Sequence, residues 1–121
     1  MTIIKDIAFV GYPVKSVTEA RKFYEGLLGL VPDPAFNGDT WVEYPVGSGT
    51  FTIGSMDGWI ASKDGPSAAF EVEDLSSLIQ KLKENNIKVN LDIQDFPNCK
   101  MAMVADVDGN SLVLHQKKMI A

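Results

Sequence analysis

The chain has 121 residues, 45% of them hydrophobic and 22% charged, with a formal net charge of −5. That size and apolar content suit one compact domain, or two small modules sharing one core. The acidic balance, with no basic run to track phosphates, argues against nucleic acid as a partner, and no apolar run approaches the length that spans a membrane.

Cys99 is the one cysteine, so no internal disulfide can form and folding needs no oxidising compartment. The start, Met1 to Asp6, lacks the long apolar core behind a basic end that marks a secretory signal. A cytoplasmic protein is the expectation.

Ile3 to Tyr12 is apolar and partly β-branched, which predicts a buried strand ended by Pro13 and Val14. Ser16-Val17-Thr18-Glu19 has the form of a capping box. Val17, Ala20, Tyr24 and Leu27 then share a helical face, with Phe23 and Leu28 beside them, and Gly29 is a helix stop. Pro32 and Pro34 restrict Leu30 to Phe36 to an edge strand or a loop. Thr40 to Val46 and Thr50 to Ser55 read as strands joined at Gly47-Ser48-Gly49. Met56 to Pro66 shows no period and contains Gly58, Gly65 and Pro66, the composition of a linker.

Ser67 to Val72 predicts the next strand, and Asp74 caps a second helix. Leu75, Leu78, Ile79 and Leu82 make its apolar stripe, and Asn85-Asn86 ends it. Ile87 to Ile93 is strand-like. Lys100 to Ala105 and Ser111 to His115 form a hairpin about Asp108-Gly109-Asn110.

Each half therefore reads strand, helix, strand, strand, strand. Val14 corresponds to Val72, and the hairpin at Gly47-Ser48-Gly49 to the one at Asp108-Gly109-Asn110. A unit of this length cannot bury its sheet face alone, so the two halves should pair. The expectation is a single domain over 1–121, with module one at about 3–56, a linker at about 57–65 and module two at about 66–117.

Three motifs carry a resemblance. They are Tyr12-Pro13-Val14 with Ala20, Phe23-Tyr24 and Leu27-Leu28-Gly29-Leu30; Phe70-Glu71-Val72-Glu73-Asp74-Leu75; and Asp106-Val107-Asp108-Gly109-Asn110 with Leu112, Leu114 and Gln116. In this order they resemble the glyoxalase/bleomycin resistance/dioxygenase (vicinal oxygen chelate) superfamily, which usually has proline where this chain has Val107. The resemblance implies an α+β fold of paired βαβββ modules. These form a cup-shaped, partly open β-barrel with helices on the outside. In metal-dependent members a divalent ion sits in the cup, held from the first and last strands of each module.

Carried over residue by residue, those positions fall at Phe9, at Thr52 or Gly54, at Ser67 and at Val113. A divalent metal needs imidazole, carboxylate or thiolate donors. Phe9 and Val113 offer none, and a neutral serine is a poor one. Register slips of one or two residues recover only His115, and one imidazole does not hold a metal. The expectation is no metal site and no cofactor.

Strand alternation puts Phe9, Ser67, Ala69, Glu71, Val113 and His115 on the cup face. Trp41 shares a face of its strand with Glu43, and Met101 shares one with Met103; which face lines the cup stays open for both. The candidate ligand-binding set is Phe9, Trp41, Glu43, Thr52, Ser67, Ala69, Met101, Met103, Val113 and His115. His115, the chain's one histidine, and Glu71 are the candidate acid–base groups. Ordinary packing competes with ligand contact at each position, because strand interiors are normally apolar.

An apolar, aromatic-rimmed cavity with a few polar groups has the composition of a small-molecule site. The leading expectation is a metal-free protein that binds an apolar or aromatic ligand in a β-cup. The resemblance to bleomycin-resistance-like members implies a homodimer. The alternatives are a lyase or isomerase working through other residues, and a structural or regulatory dimer module with a filled cup.

Overall fold

The computed structural model describes residue 3 and residues 7–118. Two compact units are present, with the division between Ala61 and Ser62.

In the first unit the leading strand is shorter than its apolar run predicts. Residues 7–9 are irregular and β1 spans Val10–Pro13; part of the expected strand, residues 4–6, lies outside the described residues. The α-helix α1 (Val17–Arg21) follows, opened by Ser16, whose Oγ accepts from the Glu19 amide at 3.2 Å. A π-helical turn over Lys22–Leu27 continues α1 directly. Its extra residue per turn changes which side chains face inward. Phe23 and Tyr24 are both buried, while Leu27, expected on the apolar face, is only half-buried. Gly29 stops the helix with φ 76°, a conformation only glycine takes without strain.

Leu30 to Phe36 is a loop with a 3-10 turn at Pro34–Phe36, so the first unit has no strand there. The predicted strand–helix–strand–strand–strand order is reduced to strand–helix–strand–strand. Proline removes the ladder donors that an extra strand would need. β2 (Trp41–Val46) and β3 (Gly49–Gly54) pair antiparallel through the two-residue connection Gly47-Ser48, and β1 lies parallel to β3. The sheet order is β1-β3-β2.

One side of this sheet carries Tyr12, Val42, Tyr44, Phe51 and Ile53, all buried. The helix packs there, with the Tyr24 and Phe51 rings 5.2 Å apart. The π-helical turn brings Glu25 to the same side. Its Oε2 accepts from Tyr44 Oη at 2.9 Å and from Arg21 Nε at 2.5 Å. Arg21 Nη1 reaches Asn37 Oδ1 at 2.6 Å. Burial, and then the bond to Glu25, push the Tyr44 phenol up, so it is a committed donor.

The second unit follows the expected order in full. β4 (Ala68–Glu71), α2 (Leu75–Glu84), β5 (Val89–Asp95), β6 (Cys99–Ala105) and β7 (Ser111–Lys117) build a sheet of order β4-β7-β6-β5. β4 is parallel to β7, and the other neighbours are antiparallel. Asp74 caps α2, accepting from the Ser77 amide at 3.1 Å. Leu75, Ile79 and Leu82 are buried, as are Ala102, Val104, Leu112 and Leu114 on the sheet side they cover. Asn86, with φ 60°, ends the helix. The β6–β7 turn is tied by Asp106, whose Oδ1 accepts from the Asp108 and Asn110 amides at 2.9 Å each.

Both sheets are mixed and open, and both units place helix on one sheet side only, the α+β arrangement expected. Tyr44→Phe removes a buried bond to a charged acceptor without creating a large cavity. It should cost about 1–2 kcal/mol, seen as a lower urea midpoint at unchanged m-value.

Candidate functional site

The register of each sheet decides which side chains lie on its helix-free face. In the first unit Gly11, Thr52 and Glu43 form one cross-strand row, and Pro13, Gly54 and Trp41 form the next. Their parity is opposite to that of the buried Tyr12, Ile53 and Val42. Trp41 and Glu43 therefore lie on the helix-free face, which settles an assignment the sequence left open. Trp41 Nε1 donates to Glu43 Oε2 at 2.9 Å.

An unanticipated residue completes this face. Trp59, from the segment read as a linker, stacks on Trp41 with ring centres 6.2 Å apart and planes 26° apart. Phe9 meets Trp41 edge-on at 5.5 Å. The rings can lie on the strands because Gly11 and Gly54 present no side chain. A Cβ on Gly54 would come within 2.7 Å of Trp41 Cε3 and 3.1 Å of Trp59 Cζ3; one on Gly11 would come within 3.0 Å of Trp59 Cη2. Two strand glycines on one face were the available signal, since such glycines mark close approach of another group. Thr52 lies on the same face with 0% exposure, and its hydroxyl makes no hydrogen bond among the described residues. Phe9 stays 46% exposed. The face is an aromatic platform with one carboxylate, Glu43, at its indole edge.

In the second unit the rows run Ala69, Val113, Met103, Leu91 and then Glu71, His115, Met101, Gln94. Met101 and Met103 thus lie on the helix-free face too, half-buried beside Val113. Ala69 is exposed on that face, and Ser67 is exposed just ahead of β4. The two candidate acid–base residues are brought together. His115 Nδ1 and Glu71 Oε1 are 2.6 Å apart, and Glu71 Oε2 accepts from the Lys117 amide at 2.7 Å. The Lys117 amide, and then His115, hold the Glu71 carboxyl below its ordinary range. His115 Nε2 takes no hydrogen bond from the described residues. His115 also lines a cleft of about 320 Å³ with Asn98, Cys99, Lys117 and Lys118.

The parallel strand pairs of the two units end on matching bonds. The amide of Val14, one residue past β1, donates to Gly54 O at 2.9 Å, and that of Val72, one past β4, to His115 O at 2.8 Å. Gly54 is thus the counterpart of His115, and Thr52 the counterpart of Val113. Of the two positions considered on β3, the repeat selects Thr52. The four positions that the resemblance assigns to metal donors would then be Phe9, Thr52, Ser67 and Val113. Two hydrocarbons and two neutral hydroxyls do not fit a divalent ion. Among the described residues no three His, Cys, Asp or Glu side chains cluster as a metal-ligating group.

Comparison with known proteins agrees with this architecture. The family model for the Glyoxalase/Bleomycin resistance protein/Dioxygenase superfamily matches residues 6–114, and the chain belongs to that superfamily. No curated protein matches it. Among solved structures, a protein from Bacillus anthracis assigned to the glyoxalase family has a TM-score of 0.78 at 22% identity, over 98% of this chain and 99% of its own. TnmS3, an antibiotic binding protein from Streptomyces sp. CB03234, has a TM-score of 0.71 at 19% identity, over 98% and 100%. The fosfomycin resistance protein FosX from Listeria monocytogenes has a TM-score of 0.73 at 10% identity, over 97% of each chain. At these identities the likeness is one of fold. No helix of the described residues is long and apolar enough to cross a membrane.

Gly54→Ala should displace the stacked indoles, which near-ultraviolet circular dichroism and tryptophan emission will register as a loss of the Trp41–Trp59 signature. For Glu71, the sign follows from its lowered carboxyl. The stabilisation is present above the unfolded value, near the reference 4.5, and is lost as pH falls through the lower folded value. The carboxyl carbon chemical shift of Glu71 should show a midpoint below 4.5, and His115→Ala should move that midpoint upward.

Proposed function

We propose that this chain is a metal-free, small-molecule-binding protein that takes an apolar or aromatic ligand on its helix-free sheet faces. The observation that carries the reading is the Phe9–Trp41–Trp59 platform laid over Gly11 and Gly54. Flat rings that keep part of their surface exposed suit contact with an aromatic ligand. Glu43 already accepts from the Trp41 indole and fixes its plane. The half-buried Met101 and Met103 add an adaptable apolar surface on the second unit. The fold likeness to an antibiotic binding protein supports small-molecule binding. Thr52 and Val113, standing where relatives place metal donors, support metal independence. A cytoplasmic homodimer belongs to this reading, through the resemblance to bleomycin-resistance-like members; light scattering of the purified chain tests the dimer.

The neutral dye N-phenyl-1-naphthylamine is the test ligand. Its emission should rise on addition of protein while tryptophan emission falls. Trp41→Ala should weaken binding roughly fivefold, an aromatic contact worth ~1 kcal/mol. Dye that does not bind, or binds Trp41→Ala equally well, would sink the reading. So would a stoichiometric transition metal in protein purified without chelator, if chelation removed metal and binding together.

A second reading has its own observation. The Glu71 carboxylate fixes His115 through Nδ1 and leaves Nε2 available beside the Cys99 cleft, the arrangement of an oriented general base. It supports a lyase or isomerase of the same fold. If catalysis exists, His115→Gln and Glu71→Gln should both lower kcat while the dye binds unchanged.

A further inference from the structure

We infer that the second unit carries an anion subsite: Lys63, Lys88 and Asn90, above Ser111 and an apolar floor of Met103 and Ala105, bind the carboxylate, phosphate or sulfonate end of an amphipathic small molecule. The inference rests on the small-molecule reading above and concerns the second unit's own face. These residues line a hollow of about 360 Å³, wholly within residues 62–118 and on the helix-free side of the β4-β7-β6-β5 sheet. It opens at the Ser111 end of that face, away from the His115 cleft at the other end of β7.

The elements that build the hollow explain why cations collect there. Lys88 is pinned just before β5 by its own carbonyl, which accepts from the Ala105 amide at 2.9 Å. Asn90 lies at the bulge between Val89 and Leu91, where the ladder register shifts and an extra residue is left outside the pairing. Lys63 comes from the turn that precedes β4. That turn is anchored to the β6–β7 turn, because the Ser62 amide donates to Asn110 Oδ1 at 3.3 Å.

Charge accounting separates these lysines from the rest of the sheet. The chain is acidic, yet several carboxylates of this unit are already engaged. Asp92 pairs with Lys83 at 2.7 Å, Asp95 with Lys118, and Glu71 with His115. Asp106 is spent on its own turn, accepting from two amides and from Asn110 Nδ2. Asp64, beside Lys63 in sequence, pairs with neither lysine. The side-chain ammonium groups of Lys63 and Lys88 make no ion pair or hydrogen bond among the described residues. Two ammonium groups without a side-chain partner over a concave surface attract an anion, and the neutral Asn90 amide adds bonds without opposing charge. Met103 and Ala105 favour an anion with an apolar body over a bare ion.

The test compares two dyes with the same ring system, 8-anilinonaphthalene-1-sulfonate and neutral N-phenyl-1-naphthylamine, on the full chain. The sulfonate should bind more tightly, and added salt should weaken it selectively. Lys63→Gln with Lys88→Gln together should reduce sulfonate affinity about tenfold, the scale of a lost charge-assisted contact, and leave the neutral dye unchanged. Lys22→Gln, on the first unit's π-helical turn, is the control for net charge and should change neither dye. Equal affinity for both dyes, or an unchanged sulfonate affinity in the double variant, overturns the anion subsite and leaves the small-molecule reading standing. Failure of both dyes overturns both. Circular dichroism of the double variant confirms that both exposed lysines were replaced in a folded chain.

Discussion

The parallel pairing of the first and last strands within each unit is the constraint on which the rest depends. β1 with β3, and β4 with β7, are joined by ladders that end on matching bonds, Val14 to Gly54 and Val72 to His115. A parallel pair cannot be closed by a tight turn and needs a crossover, which the intervening helix supplies. That crossover covers one side of the sheet. Side-chain alternation then leaves the other side uncovered, and a one-residue slip would invert every assignment. The aromatic platform and the His115–Glu71 pair both inherit their positions from this register.

The two uncovered faces are unlike each other although the repeat makes them equivalent in backbone. Trp41 corresponds to Met101, Glu43 to Met103, and Thr52 to Val113. On the first unit the glycines let indoles settle on the strands; on the second, methionine and valine leave room for hollows at either end. The chemistry available differs accordingly. One face offers stacked rings with a carboxylate at the edge. The other offers an oriented imidazole at one end and lysines without a side-chain partner at the other.

The π-helical turn links the buried network to the same frame. Glu25, within it, meets Tyr44 of the sheet and Arg21 one turn back, so a carboxylate sits at the edge of the core with both partners in place. Leaving such a group without its donors would cost more than the bond contributes when made, which ties the helix to the sheet at one definite angle.

What the sequence determined by itself was local. The caps at Ser16 and Asp74, the stops at Gly29 and Asn86, the stripe of Leu75, Ile79 and Leu82, and both hairpins are short-range patterns. Their energetics depend on neighbours a few residues away. The family motifs are of the same kind, and they brought the α+β class with them. Tertiary structure alone decided the rest. The π-helical turn broke the helical period that placed Leu27 in the core. Trp59 reached the first unit's face from a stretch without periodicity, and Lys63 and Lys88 met across strands. Each of these depends on residues distant in sequence filling the same space. No local pattern encodes such a meeting, because side-chain alternation says which way a residue points and not what it will find there.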